Sequence, residues 1–270
     1  GLGTARVSPC WTLARGRVDW AARDSCGAPI QMTAAKKAVL ITHGGDGPQN
    51  ADHASRTLAE LGYELDWRMP DEGSTLPKVD ESIAVTVIYG GGKPADEKDW
   101  YTDHYPWLHA ETAFAKDCVA KGVPTVGFCL GGQIIAHGLG SVIGPSPQGH
   151  AEFGYYELTP TEAGKGFIPD NFRVTQAHYH GFSLPDGATL LARTDAFAAQ
   201  AFVFGETTYG FQFHPECALE NFQRWQEKDK SLYEREGSQT RKEQDALAQD
   251  AHASQAKWLE QFLHDLVGPA

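Results

Sequence analysis

An α/β fold, an open and mostly parallel sheet flanked by helices, is the architecture this sequence predicts. Short, almost uniformly apolar runs recur at "KAVLIT" (37–42), "AVTVIY" (84–89) and "PTVGF" (124–128), the pattern of strands buried on both faces. Between them lie stretches with helical spacing, so strand and helix alternate as right-handed crossovers of a parallel sheet require. At 270 residues and 41% hydrophobic, the chain is long enough to bury a large core in one main domain.

Taken in order, residues 1–35 predict a poorly structured N-terminal extension. Its first 31 residues carry Arg6, Arg15, Arg17 and Arg23 against Asp19 and Asp24, with no regular periodicity. A segment foreign to the native chain, an Arg-rich targeting segment and a flexible arm all fit. The main domain spans 36–270 and opens with "KAVLIT". In "NADHASRTLAELGY" Ala54, Leu58 and Leu61 form one helical stripe, and in "YPWLHAETAFAKDCVAKG" Trp107, Phe114 and Cys118 form another. After residue 150 the runs turn Tyr/Phe/Val-rich: "EFGYYEL", "FRVTQAHYH", "ATLLAR", "AQAFVFG" and "YGFQF". They predict an additional antiparallel strand set, the last two runs forming a hairpin about "ETT". From about residue 218 the chain is charged and helical, ending in an amphipathic helix with Trp258, Leu259, Phe262, Leu263 and Leu266 on one face.

Composition excludes several classes of function. A formal charge of −12 without a Lys/Arg cluster argues against nucleic-acid or anionic-membrane partners, which need a positive face. No apolar run reaches 18 residues and no secretory signal opens the chain, so a soluble cytoplasmic protein is expected. Five cysteines without CxxC spacing suggest neither a disulfide framework nor structural zinc. "HGGDG" (43–47) lacks the Lys-Ser/Thr of a phosphate loop and reads as the turn after the first strand, near the functional edge. His178 and His180 alternate onto one strand face, but no third ligand accompanies them at recognisable spacing. Neither metal nor cofactor is expected.

The chemistry concentrates in "PTVGFCLGGQ" (124–133). An apolar strand meets Cys129 and breaks into glycines before "QIIAHGL" continues as a helix, so the thiol stands on a strand-to-helix turn at the carboxyl edge of the sheet. The N–H groups of that helix favour the thiolate by roughly 0.3–2 kcal/mol. That leaves the thiol only partly ionised, and a histidine partner is needed. "YGFQFHPE" (209–216) supplies one: His214 and Glu216 stand two apart at a strand end, separated by the stiff Pro215, so Glu216 can hold one imidazole nitrogen while the other faces the thiol.

At these residues, over roughly 36–218, the sequence resembles the class I (triad) glutamine amidotransferases, in the single-domain type similar to the amidotransferase domain of GMP synthase. The resemblance rests on "IYGGGKPADE", on Gly127, Cys129, Gly131 and Gln133 of a G-x-C-x-G-x-Q elbow, and on Phe-His-Pro-Glu. It implies a flavodoxin-like sheet and hydrolysis of the glutamine side-chain amide, or of a γ-glutamyl amide bond, through a glutamyl thioester. It makes Cys129 nucleophile, His214 base and then acid, and Glu216 the orienting group. The backbone N–H groups of Leu130 and of a glycine in the 90–92 turn, Gly91, would form the oxyanion hole, and Gln133 would bind the amino-acid end of the substrate. "AHYHGFSLP" also resembles the family and places His180 at the substrate cleft; a surface histidine at a strand end is the alternative. The expected partners are glutamine or a γ-glutamyl small molecule, and a synthase or acceptor subunit.

Other readings stay open. No second catalytic domain and no SGGxDS-type loop is expected in the remaining length, which leaves either a glutaminase subunit of a two-protein enzyme or a stand-alone γ-glutamyl peptidase. "GFCLGG" also resembles the cysteine elbow of dienelactone hydrolases, but Asp186 and Asp195 follow His180, against that fold's chain order, and Phe-His-Pro-Glu would go unexplained. A non-catalytic relative that kept the fold is a further alternative. Cys118 reads as a helix core residue, Cys217 as inert, and the charged C-terminal helices as a solvated face or an acceptor-protein interface.

Overall fold

The computed structural model describes residues 36–44, 52–91, 105–228 and 230–270, together with two short strands near the N-terminus. The chain divides into two compact units, Gly1–Ala35 and Lys36–Ala270. In the first, β1 (Leu13–Ala14) pairs antiparallel with β2 (Arg17–Val18). The rest of the expected extension, with Cys10 and Cys26, lies outside the described residues, as do the end of the "HGGDG" turn and Gly92.

The second unit is an eight-stranded sheet. Its parallel half runs, in spatial order, β4 (Glu64–Arg68), β3 (Lys37–Ile41), β5 (Ile83–Ile88), β6 (Thr125–Phe128) and β14 (Thr208–Phe211). Three antiparallel strands continue it: β13 (Ala201–Phe204), β12 (Thr189–Arg193) and β9 (Thr159–Pro160). Two antiparallel pairs stand apart from this sheet, β8 (Glu152–Glu157) with β10 (Arg173–His178), and β7 (Ile143–Pro145) with β11 (His180–Phe182). The mostly parallel, flavodoxin-like sheet is therefore present, and the hairpin about residues 206–208 is the β13–β14 turn.

Alternation along the strands explains the double burial. In β3, Ala38 and Leu40 enter one core while Val39 and Ile41 enter the other, as a period of two demands. Over the first core lie α1 (His53–Glu60) with Leu58 and α5 (Arg241–Val267) with Leu259, Phe262 and Leu263. Over the second lie α2 (Pro106–Ala120) with Leu108 and Phe114 and α3 (Leu130–Gly138) with Ile134 and Ile135. Asp52 caps α1 by accepting from the Ser55 N–H, and Thr240 with Glu243 forms a capping box at α5.

Two elements depart from the expected pattern. Edge strand β4 has no apolar run, since among the described residues only one of its sides pairs and its residues are merely half-buried or exposed. The terminal helix is far longer than its apolar stripe. It starts at Arg241, and α4 (Leu219–Lys228) precedes it, Gln226 of α4 donating to Gln244 of α5. No helix among the described residues is long and apolar enough to cross a membrane.

Candidate active site

The order β4-β3-β5-β6-β14 reverses direction between β3 and β5. In open α/β sheets the crevice beyond the carboxyl ends at such a reversal is where ligands bind. The polypeptide delivers four segments there: His43 after β3, Tyr89–Gly91 after β5, Cys129 after β6 and Gln212–His214 after β14.

Cys129 links β6 to α3 with φ +49° and ψ −108°, one of two described non-glycine residues with positive φ. Such a conformation costs of order 1–3 kcal/mol and persists only where its surroundings fix it. The Cys129 N–H donates to Phe211 O at 2.8 Å and its carbonyl accepts from Gln133 N at 2.9 Å. Close approach supplies the rest: a Cβ on Gly131 would collide with the Ile88 carbonyl, and one on Gly132 would lie 2.5 Å from Phe211 O. The elbow is thus wedged between β5 and β14, with its thiol at the positive end of a helix whose first turn has no acidic residue.

Past the end of β14 the alternation continues. Phe211 and Phe213 enter the core, which leaves Gln212 and His214 for the opposite side. The next step is not strand alternation, as the spacing alone suggested, but a turn: Cys217 N–H donates back to His214 O at 3.3 Å, with Pro215 at its second position. The turn brings Glu216 Oε1 within 2.8 Å of His214 Nδ1. His214 N–H is held by Thr175 O at 2.8 Å, and Glu216 O accepts from His53 N at the start of α1 at 2.9 Å.

The thiol, imidazole and carboxylate converge. A Cβ on Gly90 would stand 2.5 Å from His214 Cε1 and 3.4 Å from Cys129 Cβ, and Cys129 and Glu216 are the two groups whose charge acts on the His214 ring. Burial opposes charge on His214, but the negative charges of Glu216 and of the Cys129 thiolate, with their hydrogen bonds, outweigh it and push its pKa up to about 10. The arrangement suits a thiolate–imidazolium pair oriented by a carboxylate. Cys118 and Cys217 are different: burial pushes Cys118 up to about 11 and Cys217 well above the ordinary thiol range, and both stay protonated in the core.

The remaining expected residues fall around this centre. Leu130 is the first residue of α3 and Gly91 the second after Tyr89. Gln133 is buried, and its amide nitrogen donates to Gln212 Oε1 at 3.2 Å and to His180 O at 3.3 Å. His180 is buried at the start of β11 rather than on the surface, its ring tilted against Tyr179. His178 does not join it in a shared face. Its ring contacts the His180 carbonyl at 2.8 Å and Glu152 at 3.0 Å.

Three site neighbours escaped the sequence reading. Gln212 donates through Nε2 to Cys129 Sγ at 3.7 Å; its shared parity with His214 was the available signal. His43 and Glu111 form a buried pair, with Nε2 at 2.9 and 3.1 Å from the two carboxylate oxygens. Glu111 sits on the helical stripe of Trp107, Phe114 and Cys118, where a carboxylate in an apolar row is the visible anomaly.

The model of the family Glutamine amidotransferase class-I matches residues 47–229. The putative glutamine amidotransferase-like protein YfeJ of Salmonella typhimurium is 31% identical over 169 residues, covering 60% of this chain and 68% of its own. One of the subunits of the glutamine-hydrolyzing GMP synthase of Pyrococcus furiosus is 36% identical over 187 residues, covering 67% of this chain and 89% of its own. The glutamine-hydrolyzing GMP synthase of Aeropyrum pernix is 36% identical over 177 residues, but the match spans only 31% of its length. The crystal structure of a glutamine amidotransferase from Thermotoga maritima superimposes with a TM-score of 0.73 at 25% identity, over 86% of this chain and 98% of that one.

Proposed function

This chain belongs to the class-I glutamine amidotransferase family, and from that premise we propose that it hydrolyses the side-chain amide of glutamine, or a γ-glutamyl amide bond, with residues 36–270 as the catalytic unit. The observation that carries the reading is the convergence of Cys129, held at positive φ, with a buried His214 that both Glu216 and the thiolate bias toward the charged form.

The Cys129 thiolate attacks the amide carbon. The carbonyl electrons move to oxygen, and the backbone N–H groups of Leu130 and Gly91 receive that negative charge; one such donor is typically worth about 2.7–4 kcal/mol in the transition state. His214 then gives its proton to the departing nitrogen as the C–N bond breaks, leaving a γ-glutamyl thioester and ammonia or an amine. Water attacks the thioester, His214 takes its proton, and the C–S bond breaks to return the thiolate and release glutamate. Glu216 keeps the imidazole in register throughout. In this reading Gln133 helps to bind the substrate's amino-acid end and His180 lines the substrate cleft, the Gln133 amide being held on Gln212 and the His180 carbonyl.

The likeness to a GMP synthase subunit supports ammonia delivery to a separate synthase as the role of this activity. The deciding experiment compares glutamine with γ-glutamyl dipeptides, using the purified full chain with and without co-purified protein. Glutamate release from glutamine that rises with a partner supports the subunit role, and partner-free dipeptide cleavage assigns a stand-alone γ-glutamyl hydrolase. Release that survives Cys129→Ala removes the proposed nucleophile.

A further inference from the structure

The His43–Glu111 pair takes no part in the steps above, yet it touches them. His43 Nδ1 lies 3.3 Å from the Gly90 carbonyl oxygen while Nε2 faces Glu111. Both neighbours are acceptors, and a neutral imidazole donates from one nitrogen only. The two contacts are satisfied together when the pair carries an imidazolium and a carboxylate. Burial opposes that charge, but Glu111 and, more weakly, the Gly90 carbonyl and Asp71 overcome it and raise His43 above its ordinary value. The other faces of the ring are closed: Trp107 packs at 5.1 Å, and a Cβ on Gly91 would sit 2.7 Å from His43 Cβ.

The Gly90 carbonyl and the Gly91 N–H belong to one planar peptide group. A charged donor on the oxygen fixes the plane of that group and draws electron density toward the oxygen, which makes the N–H at the other end a stronger donor. We propose that His43, held by Glu111, is a positioning residue for the oxyanion hole: it locks and polarises the Gly90–Gly91 peptide so that the Gly91 N–H meets the oxyanion formed on the substrate. The inference rests on the assignment of Gly91 under the proposed function. The device joins residues 68 positions apart in the chain, neither of them in the elbow or the His-Pro-Glu turn.

The test uses the full-length chain and γ-glutamyl p-nitroanilide, with Glu111→Gln and His43→Ala as variants. Glu111→Gln preserves volume and puts a hydrogen-bonding amide in place of the carboxylate, removing the charge, so it keeps the test valid if His43→Ala fails to fold. The expected result is a fall in kcat of roughly 10-fold for Glu111→Gln and up to about 100-fold for His43→Ala, at most the low end of the 10² to 10³ that deleting a whole donor removes, with KM nearly unchanged. In parallel, alkylation of Cys129 by iodoacetamide, a displacement at a saturated carbon that builds no oxyanion, should keep its wild-type rate. Unchanged kcat in Glu111→Gln, or alkylation falling in step with kcat, overturns the assignment. Wild-type protein that is alkylated yet inert toward both glutamine and the anilide, with and without co-purified protein, overturns the proposed function itself, and this inference with it.

Discussion

Two histidine–glutamate pairs stand at the same edge of the sheet, one beyond β14 and one beyond β3. They share burial, a short contact of 2.8 Å in one and 2.9 Å in the other, and a bias toward the charged imidazole. They differ in what the second ring nitrogen meets. For His214 it is the region of Cys129, where the proposed function makes the pair a proton carrier for a nucleophile; for His43 it is a peptide carbonyl, where our inference makes the same chemistry an electrostatic brace. A third pair, His178–Glu152, meets the His180 carbonyl and Gln200, and it ties β8 and β10 to the region around β11 and β13. In these proposals the third neighbour, not the dyad, sets the role.

The sharpest way to break the comparison is at the nucleophile. Cys129→Ala should abolish γ-glutamyl hydrolysis, and a glutamine-like diazo-ketone should label Cys129 in the wild type and leave Cys118 and Cys217 untouched, as read by peptide mass mapping. Labelling at all three would mean that the buried thiols are not held protonated as their surroundings require. Next, His214→Ala should lower kcat by about 10² to 10⁴, the range of a general acid–base, while Glu216→Gln should lower it less. That second variant should also move the imidazole's titration down from about 10, visible by NMR of the labelled ring. A His214 titration that ignores Glu216→Gln would detach the carboxylate from the pair.

A smaller effect concerns stability. Since the folded imidazole of His214 titrates near 10 and the unfolded one near 6.5, its contribution is complete below about pH 6.5 and is lost as pH rises through about 10. The denaturation midpoint of the wild type should therefore fall more between pH 8 and pH 10.5 than that of His214→Ala, and equal slopes would contradict the raised titration. Smallest in reach but direct in meaning, Gly131→Ala should lower the unfolding midpoint, because the added Cβ meets the Ile88 backbone rather than a movable side chain. Overpacking of this kind costs about 1–3 kcal/mol. A fully stable Gly131→Ala protein would show that the elbow is not wedged against β5.

Much of the fold is legible in the residues alone. The apolar runs at 37–42, 84–89 and 124–128 became β3, β5 and β6, because strands covered on both faces are apolar at nearly every position, with Thr86 and Thr125 the buried polar members. Edge strand β4 was not legible, since pairing on one side asks little of its side chains. The His-Pro-Glu pair could be read because its partners lie within one turn, although the turn rather than an extended strand makes the contact. Gln212 and the His43–Glu111 pair could not, because their significance depends on neighbours 83 and 68 residues away.

By itself, the sequence determined the alternation of strand and helix, the cysteine elbow and the local His214–Glu216 contact, all consequences of short-range sterics and hydrophobic periodicity. Only the tertiary structure decided that β3, β5, β6 and β14 end side by side, because sheet order is chosen by burying both faces at once. That choice sets a buried histidine after the first core strand against the Gly90 carbonyl and a carboxylate on a later helix against that histidine.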